Sequence, residues 1–338
     1  MAAPARTERP ASPAAGLCTV VMTLLGWSSV PLFLKHFSHS IDPWTSNGWR
    51  YGFSALLWAP VLLFIGVRGT KPSRLWRAAV VPALFNACGQ VLFTLAHYRI
   101  EPALLTFGLR LQIVFVALGA AMLFPAERRV VRSPIYLAGA ALVLLGAVGT
   151  ALLGKEPLVG GSLEGFLMAA GSGALFAGYA LSVRKTMAGI HPVVAFAAIS
   201  QYTAGAMVVL MLALGERSGL TALDLSTGQF ALLLLSAVIG IALGHVFYYI
   251  SIANLGVAIS AGVIQLQPFV VGAASFVLFD ERLTPLQWCS GLVAVSGAVM
   301  MLWLQKRLSS RARAQALADE AERARAERLV EPKLAEVK

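Results

Sequence analysis

Apolar residues run through this chain in blocks of about twenty, each closed by a short cluster of proline, glycine or charge. A hydrocarbon core of about 30 Å is spanned by about 20 residues at a helical rise of about 1.5 Å each. By that ruler the blocks at 16–36, 44–67, 76–97, 102–124, 134–153, 163–183, 191–214, 229–251, 257–279 and 285–305 each predict a membrane helix. The breaks fall at Asp42-Pro43, Gly69 to Pro72, Glu101-Pro102, Gly160-Gly161, His191-Pro192 and Thr284-Pro285. No break is long enough to hold a soluble domain. The pattern therefore predicts an all-α membrane protein of ten transmembrane helices. Before it, residues 1–15 are rich in Ala and Pro and read as a disordered cytoplasmic arm. An arm followed by an apolar run resembles a signal peptide, but no small-residue cleavage site closes the run, so it is kept as the first helix.

Composition supports this pattern. The 338 residues are 58% hydrophobic and 13% charged, whereas a soluble domain carries roughly 25% charged residues. The net charge of +11 does not point to nucleic acid, because the positive residues sit in short loops between apolar blocks. With the N-terminus inside, fifteen Lys and Arg face inward, among them Arg68, Lys71, Arg128, Arg129, Arg132, Arg184 and Lys185. Five face outward: Lys35, Arg99, Lys155, Arg217 and Arg282. The excess of inward positives places both termini in the cytoplasm. Cys18, Cys88 and Cys289 are scattered, with neither metal spacing nor a disulfide framework. Residues 306–338, rich in Ala, Arg and Glu, predict an exposed cytoplasmic helix that frays before Pro332.

The chain also repeats itself. Gly89 to Ile113 and Gly244 to Pro268 align at a shift of 155 residues. Gly89-Gln90 matches Gly244-His245, Phe93 matches Tyr248, Arg110 matches Gln265, and Gln112 matches Gln267. Each half, 16–155 and 160–305, then holds five helices. An odd number makes the second half enter from the opposite side, so the halves are inverted repeats. Inverted repeats are a recurring design of secondary transporters, with the substrate site near the midplane between them.

Polar residues set in apolar blocks are the candidate chemistry, because they are costly facing lipid. Asn86, Gln90, Phe93 and Thr94 share one helical face, and His245, Tyr248 and Tyr249 share another. Arg110 lies eight residues into its block, about 12 Å deep. It is either a counter-charge for an anionic substrate group or a structural bond to a helix-end carbonyl. Arg50 is shallower; it either snorkels outward or contacts the substrate. Gln265 and Gln267 line the next-to-last helix, and Trp27 adds to the wall. Pro31 and Pro268 are candidate gates. His245 reads as the only deep side chain that titrates near neutrality, and no Asp or Glu lies deep in a block. Facilitated flux or exchange is therefore weighed beside proton antiport. The chain has no HExxH, GxSxG, P-loop or paired intramembrane Asp, so neither an enzyme nor a cofactor is expected.

Trp27, Arg50-Tyr51, Gln267-Pro268, Asp280-Glu281-Arg282-Leu283, Gly291 and Gly297 together resemble the EamA family of the drug/metabolite transporter superfamily. The resemblance spans about residues 16–305. The first half departs from it: Ile113 stands where the family often has proline, and Pro125-Ala126-Glu127-Arg128 replaces the cleaner acidic turn. The resemblance implies export of amino acids and related metabolites across the bacterial inner membrane, aromatic ones included. The partners it implies are a small-molecule substrate and the lipid bilayer, with a homodimer left open and no nucleic acid. An amine or drug exporter, a lipid-flippase partner and a structural membrane subunit remain the alternatives.

Overall fold

The computed structural model describes residues 13–65, 72–125, 128–155, 160–255 and 257–335. Most of the arm, the loop from Gly69 to Lys71, Ala126-Glu127, Glu156 and Gly256 lie outside them. The described residues fold as helices joined by tight turns. The first half contains α1 (Pro13–Phe37), α2 (Pro43–Pro60), α3 (Pro72–His97), α4 (Pro102–Leu109), α5 (Gln112–Leu123), the short α6 (Arg128–Val131) and α7 (Pro134–Leu152). The second half contains α8 (Gly161–Thr186), α9 (Pro192–Leu214), α10 (Thr227–Ala237), α11 (Gly244–Leu255), α12 (Val257–Ile264), α13 (Gln267–Phe279) and α14 (Pro285–Ala335).

Nine helical segments among the described residues are long and apolar enough to cross a membrane. The predicted helix at 44–67 is the one outside that set. It forms α2 followed by a π-helical turn, Val61–Ile65, just after Pro60, whose missing N–H interrupts the ladder. Thr45, Ser46, Asn47, Arg50 and Ser54 lower its hydropathy, yet all five are buried among neighbouring helices. Asp42 starts α2 by accepting from the amides of Trp44 and Thr45, both at 2.9 Å, with Pro43 at the first helical position. Its second carboxylate oxygen takes the amide of Glu216 at 3.1 Å, tying α2 to the 3₁₀ turn Glu216–Asp224. At the other end of the chain, α14 runs unbroken past Pro332 to Ala335, where fraying was expected. A proline in the last turn removes a single ladder bond, which does not stop a helix that is about to end.

Packing follows the duplication. The close pairs between halves are α3 with α8, α1 with α11, α2 with α9, α7 with α14 and α4 with α13. Exchanging the halves turns the first pair into the second and leaves α2 with α9 and α7 with α14 unchanged. The relative direction of two spans can be read from one contact between the halves. Glu281, just after α13, accepts from the amides of Ala103 and Leu104 at 3.1 and 3.4 Å, so it caps the start of α4. α4 and α13, which belong to the equivalent spans Pro102–Leu123 and Ile259–Phe279, therefore run antiparallel. The cap fills a gap, because Glu101 at the head of α4 makes no cap bond of its own and instead pairs with Lys35 at 2.7 Å.

Burial raises the Glu281 carboxyl above its ordinary value, and the amides of Ala103 and Leu104 pull it part of the way back. A carboxyl raised on folding contributes stability that is fully present below its unfolded value, about 4.3, and lost as pH rises through the raised value. Glu281→Gln keeps an acceptor for α4 and removes the titration. Unfolding midpoints measured across that window should fall with pH in the parent protein and flatten in the variant. Parallel curves would remove Glu281 from the pH response.

Candidate functional site

The span Pro102–Leu123 is broken at Arg110 and Leu111, and the span Ile259–Phe279 is broken at Gln265 and Leu266. These positions are equivalent under the 155-residue shift. At the first break Arg110 N and Leu111 N turn to the carbonyls of Phe107 and Gly108, three residues back. At the second, Leu266 N turns to Val263 O. Such 3₁₀ tightening inside a longer helix marks a hinge, and paired discontinuous helices are where transporters of inverted design bind their cargo.

Two prolines explain how the breaks are joined. Pro31 has no N–H for the carbonyl four residues before it, which is Trp27 O. Gln267 Nε2 donates to that oxygen at 2.8 Å. Pro268 likewise releases Ile264 O, and Arg110 Nη1 donates to it at 3.3 Å. The two hooks meet where Arg110 Nη2 donates to Gln267 Oε1 at 2.7 Å. A chain of bonds thus runs from α1 through α13 to the α4–α5 break, crossing between the halves at each step. The two candidate gates are therefore prolines whose orphaned carbonyls carry this link. Pro82 repeats the device outside the site: it frees Ala78 O, which accepts from Thr186 Oγ1 at 2.9 Å.

Aromatic groups surround the link. The indole of Trp27 lies 5.0 Å from the ring of Tyr248 and 5.4 Å from that of His245. Trp27 comes this close because Gly244 has no side chain: a Cβ there would sit 2.5 Å from the indole Nε1. His245 stacks on Phe196 at 4.3 Å, and Phe196 meets Trp58 edge-on at 5.3 Å. Tyr249 lies edge-on to Phe196 at 6.4 Å, with Tyr179 of α8 near it. The segment before His245 is a second π-helical turn, Val238–Leu243, packed against α1 with Gly240 facing Val30. Such turns are frequent at functional positions. His245 Nδ1 donates to Ile241 O at 2.9 Å, which directs Nε2 away from the backbone.

The sequence model of the EamA-like transporter family matches residues 14–152 and again residues 163–303. The chain belongs to the EamA-like transporter family. Its two matches coincide with the two halves of the chain. Among solved structures, one titled only "Crystal structure of protein" superposes with a TM-score of 0.58 at 18% identity, covering 88% of this chain and 99% of that one. At that identity the likeness speaks for the fold alone. No curated protein matches the chain.

Within this EamA-like fold, Trp27, Arg110, His245, Tyr248, Tyr249 and Gln267 come together, with Pro31 and Pro268 behind them. Gln265 is buried at the second break with its Oε1 unpartnered. Four expected residues are not drawn into the group. Asn86 donates to Thr203 Oγ1 at 3.0 Å, facing α9. Phe93 is core, edge-on to Phe176 and His97. Gln112 begins α5 and lies against Gly173 of α8 through its backbone. Gln90 stays half-buried on α3. The shared face of α3 is divided among three neighbours, since Thr94 turns to Asn47 Oδ1 of α2 at 2.8 Å. A second histidine, His97, is fully buried, but at the end of its span and not deep within it, its Nδ1 donating to Phe93 O at 2.7 Å. Phe196 and Tyr179 lie in ordinary apolar runs, and no local signal sets them apart. A cleft of about 360 Å³ between Gly272, Phe276, Glu281, Arg282 and Trp288 includes none of the expected residues.

Proposed function

We propose that this EamA-like membrane transporter exports neutral and aromatic amino acids by alternating access between its two halves. One observation carries the reading: among the described residues the bundle interior holds two buried guanidiniums and an aromatic wall, and no carboxylate. Arg50 is 2% exposed and Arg110 is 8% exposed. Within the nine spans the one acidic residue is Glu164, in the first turn of α8. An interior of this sign favours a cargo that brings a negative group and disfavours a lone cation. The rings of Trp27, Tyr248 and His245 suit an apolar or aromatic side chain, and they can hold the ammonium as a cation–π partner. Arg110, Gln265 and Gln267 add hydrogen-bonding groups beside them.

Alternating access then uses the hinges at Arg110–Leu111 and Gln265–Leu266. The bonds from Arg110 to Gln267 and from Gln267 to Trp27 O are exchanged as the halves rock. Both termini are cytoplasmic in this reading, and α2 with its π turn makes the tenth span. The end of the bundle carrying Glu101 and Glu281 is the outer one.

A ligand panel tests the substrate class. Thermal unfolding of the purified protein in detergent is followed with L-phenylalanine, with 2-phenylethylamine and with adenosine. Phenylalanine should raise the midpoint in a saturable way and the other two should not. A shift produced by the amine alone would replace the amino acid reading with the amine one.

A further inference from the structure

We infer that Arg50 and Ser54 form the subsite that takes the carboxylate of the cargo, while Arg110 serves the link between the halves. The inference rests on the amino acid reading for the identity of the cargo, and on geometry for the site.

Both terminal nitrogens of Arg110 are engaged, by the Ile264 carbonyl and by Gln267, and its Nε alone is buried without a partner. In Arg50 it is a terminal nitrogen that is left over. Its Nε donates to Ser236 Oγ of α10 at 2.9 Å, while its Nη2 is buried without a partner. No ion pair among the described residues includes it. A buried guanidinium without an anion is costly. Seven residues past Pro43, it lies about 10 Å along α2, too deep for its head to reach water in this packing.

The same face of α2 carries further unsatisfied donors. Ser54 and Trp58 follow Arg50 at one and two helical turns, and Ser54 Oγ and Trp58 Nε1 are both buried without partners. Three donors at i, i+4 and i+8 with no acceptor make a row suited to an anion. The row also joins the aromatic wall, since Trp58 meets Phe196, Phe196 stacks on His245, and His245 meets Trp27. A carboxylate at Arg50 and Ser54 therefore leaves the rest of an aromatic amino acid running toward that wall. Guanidinium and carboxylate pair through two parallel bonds, which lysine cannot reproduce.

The probes are 3-phenylpropionate, which keeps the ring and carboxylate without the ammonium, and L-phenylalanine. Binding is read from thermal midpoints of the purified full-length protein over a ligand series. Arg50→Gln should melt, ligand-free, at or above the parent midpoint, because an uncompensated charge has been removed. It should bind both probes at least tenfold more weakly. Ser54→Ala should weaken both several-fold without lowering the ligand-free midpoint. If Arg50→Gln fails to fold, Arg50→Lys with Ser54→Ala decides: weaker binding in both supports the site, and unchanged binding in both overturns it. A lower ligand-free midpoint in Arg50→Gln together with parent-like affinity also overturns it, since that is the signature of a structural arginine. Should the parent bind 3-phenylpropionate through Arg50 but not phenylalanine, the amino acid reading falls and the anion site stands. Should the parent bind neither, the anion site falls.

Discussion

Gln267→Ala is expected to cut flux at least tenfold while the protein still reaches the membrane. The side chain holds two partners at once, accepting from Arg110 and donating to Trp27 O. Its loss leaves the Trp27 carbonyl orphaned in the bundle interior, and an unsatisfied buried group costs about 1–3 kcal/mol. Stability should therefore fall as well as transport. Pro31 separates the two effects. Pro31→Ala restores an N–H that can close the helical bond to Trp27 O, so the carbonyl no longer needs Gln267. In the double variant the unfolding midpoint should recover and the flux should not, because the joint between α1 and α13 is still absent. Recovery of both would make Gln267 a helix-repair residue. Recovery of neither would mean that Trp27 O is not where the stability was lost. Measuring both quantities in all four proteins gives the coupling between Pro31 and Gln267 directly.

The second large effect is expected where α7 crosses α14. A Cβ at Gly146 would lie 2.4 Å from the amide nitrogen of Ala294 and 2.5 Å from the carbonyl of Ser290. One at Gly297 would lie 2.5 Å from the carbonyl of Gly139. These are backbone atoms, which cannot swing aside as a side chain can. Close backbone approach at small residues is how membrane helices gain packing contacts in lipid, where apolar surface alone drives nothing together. Overpacking of a filled interior costs about 1–3 kcal/mol or more. Gly146→Leu should accordingly abolish the monodisperse peak in detergent chromatography. Gly205→Ala, where nothing lies within 4 Å, should leave that peak unchanged. Equal yields from the two variants would contradict the tight α7–α14 crossing.

Much of this architecture is legible in the chain. Apolar block length shows nine of the spans, and the 155-residue shift places both helix breaks, because Arg110 and Gln265 are the aligned polar residues within them. The sequence also states which carbonyls the prolines release, since that follows from counting back four residues. What it does not state is which side chain collects each one. Gln267 reaches Trp27 across 240 residues of chain, and only the fold brings them together. The face of α3 misled for a related reason: one helical face was taken as one environment, whereas Asn86 and Thr94 turn to different neighbours. On the strength of its depth alone, Arg50 reads as reaching outward first and contacting substrate second. Burial among α2's neighbours decides otherwise, and the chain order of those neighbours gives no hint of it.

The most direct measurement is counterflow in proteoliposomes containing the purified full-length protein and loaded with unlabelled L-phenylalanine. Labelled phenylalanine added outside should accumulate transiently above equilibrium, saturate with concentration and lose at least tenfold in rate in Gln267→Ala. Entry no faster than into protein-free liposomes, or equal rates in the parent and Gln267→Ala, would contradict an amino acid carrier that works through the joint between its halves.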